Sequence, residues 1–254
     1  MDKKDYKQVQ NTLVKFLSKY LEKSTCKGFV VGISGGIDSA VVAKLCKISN
    51  PENVNAFLLP TYFSNDENLK DGIKLCSDLN IKYKIINIQN ILNNFEETLS
   101  GKLDKYSMGN LSARIRMSIL YHRSALLNSL VVGTSNKSEL MLGYGTIYGD
   151  LACALNPIGE LYKTEIFEFA RFLEIDEKII NKAPSADLWH GQSDESDLGY
   201  SYKILDEVLF FIEKNGDNYD LLYEKFKNKE LIDNVLSRIN RNKFKRQMPK
   251  IAEI

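Results

Sequence analysis

The chain is poor in the features that mark secreted, membrane-spanning or metal-clustering proteins. Its four cysteines, Cys26, Cys46, Cys76 and Cys153, form no Cys-x-x-Cys pair. They sit among small or apolar residues and read as reduced core thiols, which suits a cytoplasmic location. There are two histidines, His122 in a helical pattern and His190 in a loop, and neither has metal-ligand spacing. No apolar run approaches membrane-spanning length, and the polar start MDKKDYKQVQ is expected to exclude a secretory signal. A formal net charge of +1 gives no bulk attraction for nucleic acid or an anionic membrane. Neither GxxxxGK[ST] nor G-x-G-x-x-G occurs at the glycine-rich turn, so two common nucleotide fingerprints are excluded there.

What is present is an alternation of strands and helices. Residues 5–22 predict an amphipathic helix with Val9, Leu13, Phe16, Leu17 and Tyr20 on its apolar side. Phe29, Val30, Val31 and Ile33 predict a buried strand, followed by a helix carrying Val41, Leu45 and Ile48 on one face. NVNAFLLP, KYKIINI and SLVVGTSN predict three further strands, with helices over SNDENLKDGIKLCSDLN and NLSARIRMSILYHRSALL. Ser64 and Glu67 have capping-box spacing at the first of these. Such alternation predicts an α/β fold: a doubly wound parallel sheet flanked by helices, with ligands beyond the carboxyl ends of the strands. Beyond residue 143 two polar, glycine-bearing stretches read as loops that fold over a ligand, and residues 201–240 read as helices. At 254 residues the expected organisation is one domain over 1–254. It comprises the N-terminal helix 5–22, a nucleotide-binding core over 25–175, and a substrate loop with C-terminal helices over 176–254.

The stretch GISGGIDS, residues 32–39, carries the chemistry. Gly35 and Gly36 leave no Cβ in the way of a ligand, and the following helix presents free N–H groups, a geometry that attracts phosphate. A tight strand-to-helix turn would need the glycines alone; Ser34, Ser39 and Asp38 go beyond that need. The hydroxyls can join the backbone in cradling phosphates, and Asp38 is a hard carboxylate suited to magnesium.

GISGGIDS matches the SGGxDS loop of enzymes that split ATP into AMP and pyrophosphate. GNLSARIRM, GTSNKSELMLGYGTIYGD, NPIGELYKTEI, PSADLWHGQSDESDLGYSY and FKRQMP then follow in the order and approximate spacing of NAD synthetases. From about residue 5 to residue 249 the chain resembles the short, ammonia-using bacterial form of that family. The resemblance implies a Rossmann-like fold of the adenine nucleotide alpha hydrolase type. It also implies a ligase that adenylates the nicotinate carboxylate of deamido-NAD with ATP and then displaces AMP with ammonia. A homodimer is implied too, as is Mg2+.

By motif, the resemblance makes Gly32, Ile33, Ser34, Gly35, Gly36, Ile37, Asp38 and Ser39 ATP-binding, together with Thr134, Lys163 and Ser185. Asp38 and Glu139 become magnesium carboxylates, and Arg114 and Lys245 deamido-NAD contacts; Asp38, Glu139 and Lys163 carry the catalysis. Asp150, Asp187 and the Asp194–Glu195 pair are candidates for handling the ammonium proton, with Asp150 placed among the catalytic residues. As a bland alternative Arg114 would serve a helix-surface ion pair, a role that Arg116 can take instead. The chain departs from the family at Ile147, where lysine is common, at Ala154, where aspartate is, and at Phe244, where histidine is. Substrate contacts cannot be copied there. Other readings stay open: another SGGxDS-loop enzyme of the tRNA-modifying or GMP-synthetase kind, or an ATP-binding sensor. The basic stretch RINRNKFKRQMPK is short, and no cysteine pair serves sulfur transfer, so no nucleic-acid or membrane partner is expected.

Overall fold

The computed structural model describes residues 4–99, 104–185, 187–189 and 191–252. The chain opens with α1 (Tyr6–Ser24), whose first turn is capped by the Asp5 carboxylate accepting from the N–H groups of Lys7 and Gln8. It proceeds through β1 (Gly28–Gly32), α2 (Ile37–Ser49), β2 (Val54–Leu58), α3 (Asp66–Asp78) and β3 (Lys82–Ile85). Then come α4 (Gln89–Thr98), α5 (Lys105–Leu127), β4 (Ser129–Val132) and α6 (Lys137–Leu142). A long connection leads to α7 (Lys163–Phe172), α8 (Glu177–Ile180), α9 (Asp194–Leu198), α10 (Tyr202–Asn215), α11 (Tyr219–Phe226) and α12 (Lys229–Asn242). A 3₁₀ turn over Lys243–Arg246 follows.

All strand pairs are parallel, in the order β3-β2-β1-β4. Val31 lies opposite Ala56 on one side and Val132 on the other. Side chains alternate across the sheet with the period of two that a strand imposes. Phe29, Val31 and Ile33 enter the core shared with Leu17, Val41, Leu45, Ile166 and Phe169. Val30 enters the opposite core with Phe57, Leu59, Leu92 and Ile115. Each fully buried side chain of this size contributes about 1.5–3 kcal/mol. Helices therefore cover both faces, as the near-continuous apolar strands predict. A third cluster stands apart: Leu142, Tyr162, Leu198, Tyr202, Leu205, Leu222 and Ile232 join α10–α12 to α6 and to the residue preceding α7.

Several local expectations are corrected. The cap of α3 is Asn65, which accepts from the Glu67 N–H at 2.8 Å, while Ser64 instead accepts from the Thr61 N–H. β3 stops at Ile85 and all four of its residues are exposed; it is an edge strand, and of the remaining Ile86, Asn87 and Ile88 the N–H groups of Ile86 and Ile88 still donate, to the carbonyls of Leu58 and Pro60. α4 is an addition, a helix that carries no strong sequence signal. Ile48 lies at the exposed end of α2 rather than in its core, whereas Val41 and Leu45 are fully buried. Cys46 and Cys76 are buried thiols, and burial pushes Cys76 up to about 11. His190 lies outside the described residues.

The strand order reverses at β1. β2 and β3 lie to one side of it and β4 to the other, so a crevice opens between the carboxyl ends of β1 and β4. The GISGGIDS turn and the GTSNKSE turn both leave the sheet there.

Candidate active site

The first wall of the crevice is the β1–α2 turn. The Ile33 N–H still pairs with the Phe57 carbonyl at 2.9 Å, so the loop starts from a fixed strand end. Ser34 Oγ lies 3.1 Å from Ser39 Oγ and accepts from the Gly36 N–H at 3.1 Å. Gly35 has φ +82°, and a Cβ there would fall 2.0 Å from the Asn68 carbonyl oxygen, so glycine is required on both counts. Gly36 caps α2 without a side chain, leaving the first-turn N–H groups open to an anion. Lys182 braces the loop from behind. Its Nζ donates to Gly35 O at 3.3 Å and Asn68 Oδ1 at 2.8 Å and pairs with buried Asp71, which also receives Lys178 at 2.9 Å.

Three helices begin in this crevice and each brings a charge in its first turn: Asp38 on α2, Glu139 on α6 and Lys163 on α7. Lys163 is 2% exposed. Its Nζ donates to Asp38 Oδ2 and lies 3.9 Å from Glu139 Oε1. Burial alone would pull this ammonium down, but the charges of Asp38, Glu139 and Asp194 outweigh it and hold it above the ordinary lysine range. Burial, with Asp38 nearby, pushes Glu139 well up, and Lys163 opposes that.

Asn136 joins the two carboxylates. Fully buried, it donates from Nδ2 to Asp38 Oδ1 at 3.0 Å, while its N–H donates to Glu139 Oε2 at 3.1 Å. Its Oδ1 accepts from the Glu139 N–H, closing a capping box on α6. Asp206, on α10, fixes the other two helix starts. It is fully buried and accepts from the Ser138 hydroxyl and from the N–H and hydroxyl of Thr164, the last two at 2.8 Å. Ser138 Oγ in turn accepts from the Lys163 N–H at 2.9 Å. One carboxylate from the third hydrophobic cluster thus staples α6 to α7 beside Glu139 and Lys163. Neither Asn136 nor Asp206 is among the candidates the sequence offers; the Asn-x-x-Glu spacing in NKSE is a readable sign of the first, and nothing local marks the second.

These groups border a cavity of about 820 Å³. Of the sequence-predicted residues, Gly32, Ile33, Ser34, Gly36, Ile37, Asp38, Ser39, Thr134, Glu139, Asp150, Lys163, Ser185 and Lys245 line it. Gly35 stands behind the loop against Asn68. Arg114 lies on the exposed face of α5, its Nε 3.3 Å from Ile147 O, and Ile147, Ala154 and Phe244 also stand off the cavity wall. The surface ion-pair role offered for Arg116 is not what the fold gives it. Two positions on from Arg114, it turns inward, donates from Nε to Leu59 O at 2.9 Å and lines the cavity.

The four acidic candidates separate. Asp150 opens onto the cavity and accepts from the Thr146 N–H at 2.8 Å. Asp187 accepts from the Asn65 N–H at 3.0 Å, tying its loop to α3. Glu195 accepts from the Tyr202 N–H at the start of α10. Asp194 is buried on the cavity wall, held by the hydroxyls of Tyr144 and Tyr202 at 3.1 and 3.3 Å, and burial pushes its carboxyl up. Ser185 sits in the same loop, its hydroxyl donating to Gln192 O; Ala186 and His190 of that loop lie outside the described residues. Lys245 donates to the carbonyls of Gly143 and Gly145 at 2.8 and 2.9 Å.

A parallel sheet with a Gly-Ser phosphate turn and a lysine between two carboxylates at its switch point is the architecture of a nucleotide-using α/β enzyme. Residues 9–249 match the family described as NAD synthase. The curated NH3-dependent NAD+ synthetase of Campylobacter jejuni is 53% identical over 250 residues, covering 98% of this chain and 100% of the relative. The solved NH3-dependent NAD synthetase of Campylobacter jejuni in complex with the nitrate ion superposes with a TM-score of 0.84 at 45% identity, over 99% of this chain and 100% of that one. NMN synthetase from Francisella tularensis gives 0.89 at 31% identity over the same shares. The chain belongs to the NAD synthase family.

Asp206→Ala removes the acceptor that three donors share. Urea unfolding should show a loss of about 3 kcal/mol, in the range for stranded buried polar groups. Turnover should fall further than the folded fraction explains, because Lys163 loses its brace. Asp206→Asn, which keeps an acceptor oxygen, should recover part of both; an Ala variant with wild-type turnover would show that the staple does not position the site.

Proposed function

We propose that the chain makes NAD from deamido-NAD, ATP and ammonia, releasing AMP and pyrophosphate as an ammonia-dependent ligase. The observation that carries the mechanism is the buried Lys163 between Asp38 and Glu139, beside open helix N–H groups. A carboxylate is a poor electrophile with no viable leaving group. The nicotinate carboxylate oxygen attacks the α-phosphorus of ATP, the bond from that phosphorus to the bridging oxygen breaks, and pyrophosphate leaves. Ammonium gives up a proton, the resulting ammonia adds to the activated carbonyl carbon, AMP departs as the C–O bond breaks, and the nitrogen sheds a further proton to leave the amide. The turn over residues 32–39 binds the phosphates, with Thr134 and Ser185 on the same cavity, and Lys163 offsets charge as it builds on the leaving pyrophosphate. Asp194 and Asp150 stand on the wall where an ammonium proton can be accepted.

The donor set fits magnesium. Among the described residues no cluster of three metal-ligating side chains occurs, but magnesium takes one or two carboxylates and fills its octahedron with water and phosphate oxygens. Asp38 and Glu139 would hold it, with Glu139 Oε1 turned toward Lys163 at 3.9 Å. The ion would neutralise charge on the departing phosphates. No helix among the described residues is long and apolar enough to cross a membrane. The unpaired cysteines suit a reducing compartment, and the formal net charge of +1 gives no bulk attraction for nucleic acid.

A nicotinate mononucleotide substrate is the second reading, favoured by the close superposition on NMN synthetase; the more similar ammonia-using NAD synthetases weigh for the dinucleotide. Purified protein given ATP, deamido-NAD and ammonium should form NAD and AMP one to one. It should act more slowly on nicotinate mononucleotide and show no turnover on ammonia-free glutamine. Comparable turnover on glutamine, or preference for the mononucleotide, would overturn this assignment.

We also propose a homodimer. α4, α5 and the edge strand β3 expose Ile85, Phe95, Tyr121 and Leu126, a set of large apolar side chains suited to burial against a second copy. Light scattering at micromolar concentration should give twice the 28.9 kDa chain mass; a fully active monomer would refute the dimer.

A further inference from the structure

On the ligase reading two phosphate-bearing substrates meet at this cavity, and the cationic and N–H groups assigned to phosphate so far, the turn over residues 32–39 and Lys163, serve ATP. A second cationic wall comes from α12. Arg238, Arg241 and Asn242 share one face of this helix at i, i+3 and i+4, and Lys245 follows at i+7 on the 3₁₀ turn; all four line the cavity. Asn242 and Lys245 are committed to structure. Asn242 Nδ2 donates to Leu142 O at 3.1 Å, and Lys245 holds the carbonyls of Gly143 and Gly145. Gly143, at φ +63°, packs so closely that a Cβ would fall 2.0 Å from the Asn242 Cβ. This part of the helix is therefore fixed against the cavity floor.

The two arginines are differently placed. Arg238 is partly engaged, donating from Nη2 to Asp197 O at 2.6 Å and from Nε to Asn234 Oδ1 at 3.1 Å. Arg241 is exposed and, among the described residues, makes no hydrogen bond or ion pair with protein. The carboxylate of Asp197, beside Arg238, is engaged elsewhere: its Oδ2 accepts from Tyr144 and Gln192, both at 2.9 Å. Burial, together with the neighbouring charge of Arg241, pushes the Arg238 guanidinium down. Two guanidiniums one helical turn apart on a cavity wall, with Arg241 unpaired among the described residues, are suited to phosphate oxygens.

We infer that Arg241, seconded by Arg238, recognises a phosphate of the deamido-nucleotide substrate, a role that the apolar side chains of Ile147, Ala154 and Phe244 cannot fill. This rests on the ligase reading above. It makes the phosphate on this wall belong to the acceptor substrate and not to ATP.

The test is steady-state kinetics of Arg241→Gln and Arg241→Lys in the full chain, with nicotinate riboside, which carries no phosphate, as a competitive inhibitor. In Arg241→Gln the KM for deamido-NAD should rise about tenfold or more, the loss expected for a charge-assisted contact. The KM for ATP and the inhibition constant of the riboside should stay within about twofold of wild type, since neither ligand places a phosphate on this wall. Arg241→Lys, which keeps charge but not the fork, should fall between. Because the Arg241 side chain holds no partner among the described residues, the melting temperature should not move, and the Lys variant supplies the measurement if the Gln variant is poorly folded. An unchanged KM for deamido-NAD, or equal losses for ATP or for the riboside, would overturn the assignment. Absence of NAD formation by the wild-type chain would instead defeat the ligase reading itself.

Discussion

The molecule is organised around one costly interaction: an ammonium withdrawn from water and held between carboxylates from two other helices. Removing these charges from water costs several kcal/mol per ion, repaid only with close pairing and with hydrogen bonds on the remaining oxygens. Both conditions are met here. Lys163 bonds Asp38, Asn136 occupies the other Asp38 oxygen and one Glu139 oxygen, and Asp206 fixes the helix starts through Ser138 and Thr164. Asp38, Glu139 and Asp194 outnumber the single lysine in their midst. That arrangement suits the ammonium substrate and the magnesium ion proposed above, which Asp38 and Glu139 would hold.

The same constraint explains why the sheet and the C-terminal helices are parts of one device. The switch point between β1 and β4 brings α2 and α6 to the same edge, but it does not bring Lys163. That residue is delivered by a long connection ending at Tyr162, whose ring is buried in the C-terminal cluster and whose hydroxyl donates to Glu213 of α10 at 2.8 Å. α12 adds a second hold on the region, since Asn242 and Lys245 pin the carbonyls of residues 142, 143 and 145. A site assembled from first turns of rigid helices keeps its geometry better than one assembled on loops.

Legibility in the sequence follows how local each requirement is. The phosphate turn is readable because Gly35 answers two local demands, a left-handed backbone and the close approach of Asn68. The strand–helix alternation is readable because both sheet faces are covered and the inner strands β1, β2 and β4 are largely apolar. β3 is shorter than its apolar pattern suggests because its exposed edge position supplies no burial to mark its end. Arg114 and Arg116 illustrate a sharper limit. Two residues apart on a helix they point about 200° from each other, so only the packing of α5 decides that Arg116 faces the cavity and Arg114 faces outward. Asp206 is not legible at all, since its partners lie 42 and 68 residues away.

On the mechanism proposed above, Asp38, Glu139 and Lys163 act as one unit on the departing pyrophosphate. Pyrophosphate release by wild type, Asp38→Asn, Glu139→Gln and the double variant, at saturating magnesium, tests it most directly. Each single change keeps shape and removes a charge, and should slow release by about a hundredfold in the folded fraction, more than the accompanying loss of stability explains. Groups that work as a unit give non-additive losses, so the double variant should be little worse than the poorer single one. Losses that multiply, to about ten-thousandfold, would mean two independent roles and would contradict the account.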